Sequence, residues 1–270
     1  MISQTIKAHY EKNNEHQRLL TGVGQLEFER TKELILRYLP DRPIKILDVG
    51  GATGIYSLWL AKMGHEIHLV DPVSFLVEQA KQASAKQGIH IKSFNIGDAR
   101  KLEFPDDFAD IVLLMGPMYH LIERRERLIA LRESLRVLKK KGLLITAAIS
   151  KFASTLDGFV EGYMDDPEFV PIARQDLING QHRNPTDNPL YFTDAFFHQP
   201  EQLKEEILEA GFDHENTFAV EGFGWMLQNF DGHWKNKDRR DRMLKSIRAI
   251  ETEPSLLGMS AHLLAVARKP

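Results

Sequence analysis

Between residues 44 and 149, short apolar runs alternate with longer stretches whose apolar residues recur at helical spacing. The apolar runs predict five strands, at residues 44–49, 66–70, 89–94, 110–115 and 143–149. The stretches between them predict three helices, at residues 53–63, 73–87 and 123–140. Strands and helices that alternate at these lengths predict an α/β fold, in which helices cover both faces of a parallel sheet.

The segments on either side of this alternation follow other patterns. Residues 3–38 predict helix in two pieces, with a break near Thr21–Gly24, and residues 151–197 show little periodicity. Beyond them we expect a helix at 201–210, a strand at 212–220, mostly helix at 223–252 with a break near Asp231–Gly232, and a last strand at 260–268. The chain therefore divides into an N-terminal helical cap (1–40), a core (41–150), an insertion (151–199) and a C-terminal part of the same fold (200–270).

The composition excludes several classes of function. The 35 basic and 38 acidic residues give a formal charge of -3, without the basic excess of a protein that grips nucleic acid. The basic run Lys139–Lys141 lies at a predicted helix end, where positive charge complements the helix dipole. There is no cysteine, which excludes disulfides, thiolate metal sites and cysteine nucleophiles.

No segment of the sequence predicts export or membrane insertion. Residues 1–16 are polar and lack the apolar core of a signal peptide. The most apolar stretch, residues 111–122, is shorter than the roughly 20 residues that span a bilayer. We therefore expect a cytoplasmic protein that binds neither membrane nor nucleic acid.

A glycine-rich turn, Asp48–Gly54, follows the first predicted strand. Glycines let the backbone turn tightly and approach a ligand closely, and the helix N-terminus that follows offers free amide groups. In an open α/β sheet, ligands bind at the carboxyl ends of the strands. Turns between a strand and a helix also use glycine for backbone geometry alone, so this turn does not identify a ligand by itself.

Two acids at the ends of the next strands strengthen the case for a ligand. Asp71 ends the second strand, where a carboxylate can accept hydrogen bonds from both hydroxyls of a ribose. Asp98 follows the third strand and can accept from an adenine amino group. The dinucleotide pattern G-x-G-x-x-G is not met, because Ala52 and Thr53 stand where later glycines would fall, and no Walker pattern is present.

The segment Leu47–Gly54 resembles the first motif of class I S-adenosylmethionine-dependent methyltransferases, with Ala52 in place of the middle glycine. Asp71, Asp98-Ala99 and residues 110–115 match the later motifs. The resemblance implies a seven-stranded, mostly parallel Rossmann-like sheet of order 3-2-1-4-5-7-6, with the last strand antiparallel. It also implies S-adenosylmethionine as the cofactor, and it assigns these residues to the cofactor site: Asp48, Gly50, Gly51, Ala52, Gly54, Asp71, Pro72, Asp98, Ala99, Met115 and Gly116.

The turn after the fourth strand is the predicted reaction centre. In this fold Gly116–Leu121 faces the sulfonium, and His120 is the candidate general base because an unperturbed imidazole titrates near neutrality. Tyr119 is placed to orient the acceptor. Both residues have a structural alternative, as core or capping groups. No metal is expected, since the sulfonium already supplies a good leaving group.

The remaining acceptor contacts are expected from the two caps. The predicted acceptor-contacting residues are Tyr10, Arg30, Tyr119, Tyr191, Phe197, His198 and Trp225. Arg18 and Glu27 lie on the same N-terminal helices, whereas we expect His262, in the last strand, to be structural. An aromatic-rich cap favours a planar or apolar acceptor, or an amine held by cation–π contacts.

The sequence thus favours a methyltransferase that acts on O or N of a small molecule. Methylation of a peptide or protein, and a protein that binds S-adenosylmethionine without catalysis, stay open as alternatives. The glycine spacing disfavours a nucleotide-dependent oxidoreductase.

Overall fold

The computed structural model describes residues 15–186 and 188–270, which form a sheet with helices on both faces. The strands of this part are β1 (Lys45–Val49), β2 (Glu66–Asp71), β3 (Ser93–Ile96), β4 (Ala109–Leu114), β5 (Leu138–Ser150), β6 (Gln181–His182), β7 (Ala195–His198), β8 (Asp213–Ala219) and β9 (His262–Arg268). The helices are α1 (Glu15–Arg18), α2 (Gly24–Leu36), α3 (Ile55–Lys62), α4 (Ser74–Gln87), α5 (Pro117–His120), α6 (Arg124–Val137), α7 (Ala153–Glu161), α8 (Phe169–Asn179), α9 (Pro200–Glu209), α10 (Phe230–Lys235) and α11 (Lys237–Ile250). Short 3-10 turns lie at Tyr163–Asp165, Pro189–Tyr191, Gly224–Met226 and Leu257–Met259.

The strand order confirms the predicted topology. Strands β1 to β5 are parallel and lie in the order β3-β2-β1-β4-β5. Beyond β5 come β9 and then β8, and β9 runs antiparallel to both. With β8 and β9 as the sixth and seventh core strands, the order is the expected 3-2-1-4-5-7-6.

Both faces of the sheet are buried, as expected for a parallel sheet. Leu47 and Val49 of β1 belong to a cluster that includes apolar residues of α6 and α9. Ile46, the neighbour on the opposite face, belongs to a second cluster with apolar residues of α2 and α3. The alternation along β1 therefore determines which residues face the helices on each side. The glycine turn lies at the carboxyl edge of the sheet because it follows the last residue of β1.

The insertion is more ordered than its sequence indicates. It contains α7, α8 and the small strands β6 and β7. The last residues of β5, Ile149 and Ser150, pair in parallel with Phe197 and His198 of β7. Strand β7 also contacts α5, the helix that carries Tyr119 and His120. The insertion is therefore tied into the sheet beside the predicted reaction centre.

Three predicted boundaries are wrong. The third strand, predicted at residues 89–94, is β3 at Ser93–Ile96. Helix α6 ends at Val137, and Lys139–Lys141 belongs to β5, because the strand ladder already begins at the pair Ala109–Leu138. The Lys139 amine binds Asp110 of the neighbouring strand β4 at 2.9 Å. Asp231–Gly232 lies inside α10, and the break falls at Asn236, whose side chain caps α11.

The break predicted near Thr21–Gly24 is confirmed, since α1 ends at Arg18 and α2 begins at Gly24. In the described part of the chain, no helix combines the length and the apolar character needed to cross a bilayer.

Candidate active site

A cavity of about 340 Å³ opens at the carboxyl ends of β1, β2 and β4. Its size suits a small-molecule ligand. Ten of the eleven residues assigned to the cofactor site line it, and Gly54 instead caps the N-terminus of α3. The fold therefore brings the motif residues together around one cavity.

The glycine turn has no room for side chains. Gly50 has φ 80°, and a Cβ there would lie 2.8 Å from Cδ of Pro117. A Cβ on Gly51 would lie 2.9 Å from Oδ2 of Asp48 and from Cγ of Leu69. These contacts explain why glycine occupies both positions, and they leave the turn's backbone open to the cavity.

Ala52, the substitute for the middle glycine, holds a left-handed backbone with φ 45°. Its amide donates to Oδ2 of Asp71 at 2.9 Å, which fixes the conformation. A non-glycine residue in this region is strained. We expect Ala52→Gly to raise the free energy of unfolding by about 0.5–1 kcal/mol, part of the relief being offset by the freer unfolded chain.

Denaturant unfolding measures this prediction, with Ala61→Gly inside α3 as the matched control. The control should lower stability by about 0.5–1 kcal/mol, because glycine weakens a helix interior. Equal losses in both variants would show that Ala52 is unstrained.

Asp48 is a buried acid, and one of its two carboxylate oxygens has no hydrogen-bond partner among the described residues. Its Oδ2 accepts from the hydroxyl of Ser57 at 2.6 Å, and its Oδ1 is buried without a partner in the described structure. Burial raises the pKa of this carboxyl to about 6, with a smaller contribution from the charge of Asp71, and the Ser57 bond opposes the rise. A buried acceptor of this kind is costly unless a ligand completes it.

Asp71 and Asp98 lie on the same cavity wall. Asp71 accepts from the amides of Ala52 and Val73 at 2.9 and 2.8 Å. Burial raises the pKa of Asp71 to about 6 against these two bonds. Burial also acts on Asp98, but its ion pair with Arg100 outweighs this and holds the pKa below its usual range. One carboxylate is thus positioned by backbone and the other by a guanidinium.

Tyr119 and His120 line the same cavity from α5. Pro117 opens this helix at its first position, where its missing amide is not needed. The two rings lie 4.6 Å apart, and Phe192 of the insertion stacks on His120 at 6.3 Å. Phe197 packs in the same cluster as Tyr119. The insertion therefore supports the predicted reaction centre from behind.

The structure places most predicted acceptor contacts away from the cavity, which corrects those expectations. Arg30 is fully buried, where its guanidinium binds Glu251 and Glu33 and its Nε donates to the carbonyl of Val220 at 3.2 Å. It is a structural link between α2 and the C-terminal part, because ion pairs already occupy its donors.

The aromatic candidates are likewise held by internal contacts. The Tyr191 hydroxyl donates to Asp166, and Phe197 stacks on His182 at 4.6 Å. His198 is buried against Glu206, and the Trp225 ring nitrogen donates to the carbonyl of Met259 at 2.9 Å. Tyr10 lies outside the described residues. Of the predicted acceptor contacts in the described chain, Tyr119 alone lines the cavity.

A charged cluster lines the cavity that the motifs did not predict. Arg18 binds Glu27 through both terminal nitrogens, at 2.6 and 3.1 Å. His262 lies beside them, with Nδ1 at 3.8 Å from Glu27 and 2.6 Å from Glu221. The sequence placed Arg18 and Glu27 on the predicted N-terminal helices that cover the site. Nothing local marked His262, because its partners come from distant parts of the chain.

Comparison with known proteins supports the same interpretation. The family described as "Methyltransferase domain" matches residues 46–142. The ubiquinone/menaquinone biosynthesis C-methyltransferase UbiE of Neisseria meningitidis serogroup C is 29% identical over 174 residues, which cover 63% of this chain and 66% of that protein. The UbiE of Chromobacterium violaceum is 30% identical over 173 residues, with 62% and 66% covered. The chain thus spans slightly less than two thirds of the length of these curated relatives.

A solved structure extends the likeness to the fold. The crystal structure of an S-adenosylmethionine-dependent methyltransferase from Methanosarcina mazei superposes with a TM-score of 0.59 and 20% identity, covering 87% of this chain and 96% of that one. The family match, the curated relatives and the fold support a class I S-adenosylmethionine-dependent methyltransferase. In this family the cofactor is S-adenosylmethionine.

The cavity of this chain has the groups that S-adenosylmethionine needs. The unpartnered Oδ1 of Asp48 suits an ammonium, and the bare backbone of Gly50 and Gly51 admits a close ligand. Asp71 lines the cavity at the second strand end with its carboxylate already oriented. The residues present therefore fit the family's cofactor.

Proposed function

We propose that this protein transfers a methyl group from S-adenosylmethionine to an oxygen or nitrogen of a small molecule by in-line displacement. The observation that carries the proposal is that one cavity of about 340 Å³ is lined by the glycine turn, by Asp48 and Asp71, and by Tyr119 and His120. Cofactor groups and acceptor groups must share a cavity of this kind, because the attacking atom has to reach the methyl group directly.

Each wall of the cavity has a role in this proposal. Asp48 would hold the amino group of the methionine part, Asp71 the ribose hydroxyls, and Asp98-Ala99 the adenine. When bound, the cofactor supplies an activated methyl group with a neutral thioether as leaving group. The backbone of Gly50 and Gly51 lets the ligand approach closely.

The acceptor would lie against α5. Tyr119 orients it, and His120 is the base candidate on this helix. Leu121 and Ile122 continue the cavity wall and help to exclude water from the reacting atoms.

Methylation of carbon is a second candidate. The observation that favours it is the name of the curated relatives, which are C-methyltransferases of quinone biosynthesis. Both candidates use the same cofactor geometry, and they differ in which acceptor atom meets the methyl group.

Transfer of a tritiated methyl group to a fractionated metabolite extract tests the proposal. We expect label in the small-molecule fraction with the wild-type protein. Asp71→Ala should weaken cofactor binding by about 1–3 kcal/mol, because it leaves ribose hydroxyls without a partner, so it should label little at limiting cofactor.

The matched control is Asp106→Ala, which removes an exposed acid outside the cavity and should label as the wild type does. Label confined to the protein fraction would favour a protein methyltransferase. Absence of label with intact cofactor binding would favour a non-catalytic binding protein.

A further inference from the structure

Glu221 and His262 form a carboxylate–imidazole pair on the cavity wall. Nδ1 of His262 lies 2.6 Å from Oε1 of Glu221. The other oxygen of Glu221 accepts from the backbone amide of His262 at 3.0 Å and from the hydroxyl of Ser260 at 2.7 Å. Glu221 is 2% exposed, so both of its oxygens are used to hold His262 and its surroundings.

The second ring nitrogen of His262 is the accessible one. Nε2 has no hydrogen-bond partner among residues 15–186 and 188–270, and it is not among their fully buried unpartnered atoms. His262 lines the cavity. A carboxylate that fixes Nδ1 leaves Nε2 to face a ligand in the cavity.

The charged groups around His262 come from three elements. Glu221 follows β8, Glu27 belongs to α2, and Arg18 belongs to α1. Burial lowers the pKa of His262, but the charges of Glu27 and Glu221 and the bond to Glu221 outweigh it, and Arg18 opposes them more weakly. The resulting pKa is about 9, so the imidazole carries its proton at neutral pH.

The cluster offers no free negative charge. Arg18 binds both oxygens of Glu27, and His262 offsets Glu221. An ammonium group would therefore find no open carboxylate here. An oxygen with negative charge would find the N–H of an imidazolium.

We propose that Nε2 of His262, held in place by Glu221, donates its N–H to the oxygen of a phenol or enol acceptor and so binds that acceptor as its anion. The proposal rests on the proposed methyl transfer and narrows its acceptor class. His262 is then the residue that touches the acceptor, and Glu221 is a positioning residue.

The step balances without a further reactant. The acceptor binds to the protonated His262 as its anion, and the hydroxyl proton goes to solvent. A bond forms between the acceptor oxygen, or a ring carbon conjugated to it, and the methyl carbon. The bond from that carbon to sulfur breaks, and its electron pair stays on sulfur. Methylation at carbon is completed by loss of the ring proton to solvent.

Two measurements test the pair, both on the complex with S-adenosylhomocysteine. The first is an NMR titration of the histidine side chains. We expect His262 to titrate near pH 9 in the wild type, and Glu221→Gln should move this pKa toward 6.5, the ordinary value. A titration that stays near pH 9 in Glu221→Gln would show that Glu221 does not keep His262 protonated, and would contradict the pair.

The second measurement uses 4-nitrophenol as the probe, at a pH where the free probe is mostly neutral. Binding to the wild type should increase the nitrophenolate absorbance band, and His262→Gln should abolish the increase. Benzylamine, a cationic ring of similar size, should compete poorly. Thermal melting verifies that Glu221→Gln and His262→Gln are folded.

His214→Gln is the matched control, and His120→Gln tests whether the other histidine on the cavity wall produces the band. His214 lies outside the cavity and its ring bonds to Thr217, so its substitution should leave the band unchanged. An increase that survives in His262→Gln, one that is lost only in His120→Gln, or no increase in the wild type would overturn the proposal. Calorimetry measures the binding of S-adenosylhomocysteine in parallel. If the wild-type protein does not bind it, the proposed function itself is rejected.

The probe's fate distinguishes the two acceptor atoms. After replacement of the product by tritiated S-adenosylmethionine, label on 4-nitrophenol as an ether indicates oxygen methylation, and label on its ring indicates carbon methylation. Either product agrees with the proposed acceptor class.

Discussion

Replacing Arg127 with methionine should lower the free energy of unfolding by about 3–5 kcal/mol, because it removes the main cationic partner of the buried carboxylate of Glu206. Arg127 and Glu206 are 1% and 3% exposed. Nε and one terminal nitrogen of Arg127 bind the two oxygens of Glu206 at 2.9 and 2.7 Å. The guanidinium also stacks on Phe196, 3.6 Å from the ring centre.

The same arginine positions the predicted reaction centre. Its other terminal nitrogen donates to the carbonyls of Leu121 and Ile122 at 3.0 and 2.6 Å, and both of these residues line the cavity. The loop after His120 is thereby fixed to α6 and α9. We expect the variant to lose affinity for ligands as well as stability.

Denaturant unfolding tests this prediction, with Arg132→Met as the control on the same helix. Arg132 is 55% exposed and lies 3.9 Å from Glu209, so its loss should change stability little. The double variant Arg127→Met, Glu206→Leu should recover part of the loss, because no unpaired buried charge remains. A single variant as stable as the wild type would contradict this account of the pair.

Replacing Asp48 with asparagine should stabilise the ligand-free protein at pH 8 and weaken cofactor binding. The pKa of Asp48 is raised from 3.8 to about 6, chiefly by burial. The folded state therefore favours the protonated acid. Its contribution to stability is present below pH 4, is lost as the pH rises to about 6, and stays lost at higher pH.

The expected gain at pH 8 is about 1–3 kcal/mol, and it should vanish near pH 4. Binding of S-adenosylhomocysteine should weaken by about 2–5 kcal/mol, because the ligand's ammonium loses a buried charged partner. Urea unfolding at the two pH values and calorimetry measure these effects. Asp106→Asn, at an acid that is 73% exposed, should change neither stability nor binding.

Higher stability of the free protein at pH 8 together with weaker binding of S-adenosylhomocysteine would show that Asp48 serves ligand binding and not folding. If Asp48→Asn destabilised the free protein at pH 8 as much as at pH 4, the carboxylate would instead be a structural group whose charge is tolerated.

The sequence predicts the cofactor side of the site well because its features are local. The motif around Gly50 and Gly51 lies at the end of an apolar run, and Asp71 ends the next one. In a parallel sheet, such strand ends meet at one edge. The hydrophobic pattern alone therefore brings these residues together.

The acceptor side is predicted poorly because it depends on distant pairs. Arg30 looks like a free cation on an amphipathic helix, yet its partner Glu251 lies 221 positions away. His262 looks like a strand residue, yet it is held by Glu221 and faces Glu27 from α2. The spacing of residues along the chain does not reveal such contacts, because they form only when the C-terminal part packs against the N-terminal helices.

The run Lys139–Lys141 shows a related limit at short range. Its charge suited a helix end, but helix propensity yields to the strand ladder that Leu138 begins with Ala109. Pairing with β4 decides that these residues belong to a strand, and the helical periodicity of the sequence carries no information about that pairing.

Calorimetric titration of the wild-type protein with S-adenosylhomocysteine, and separately with NAD, tests the central claim most directly. We predict that S-adenosylhomocysteine binds with one molecule per chain and that NAD gives no binding heat, because the glycine turn lacks the dinucleotide spacing. Binding of NAD without binding of S-adenosylhomocysteine would contradict the assignment of this cavity.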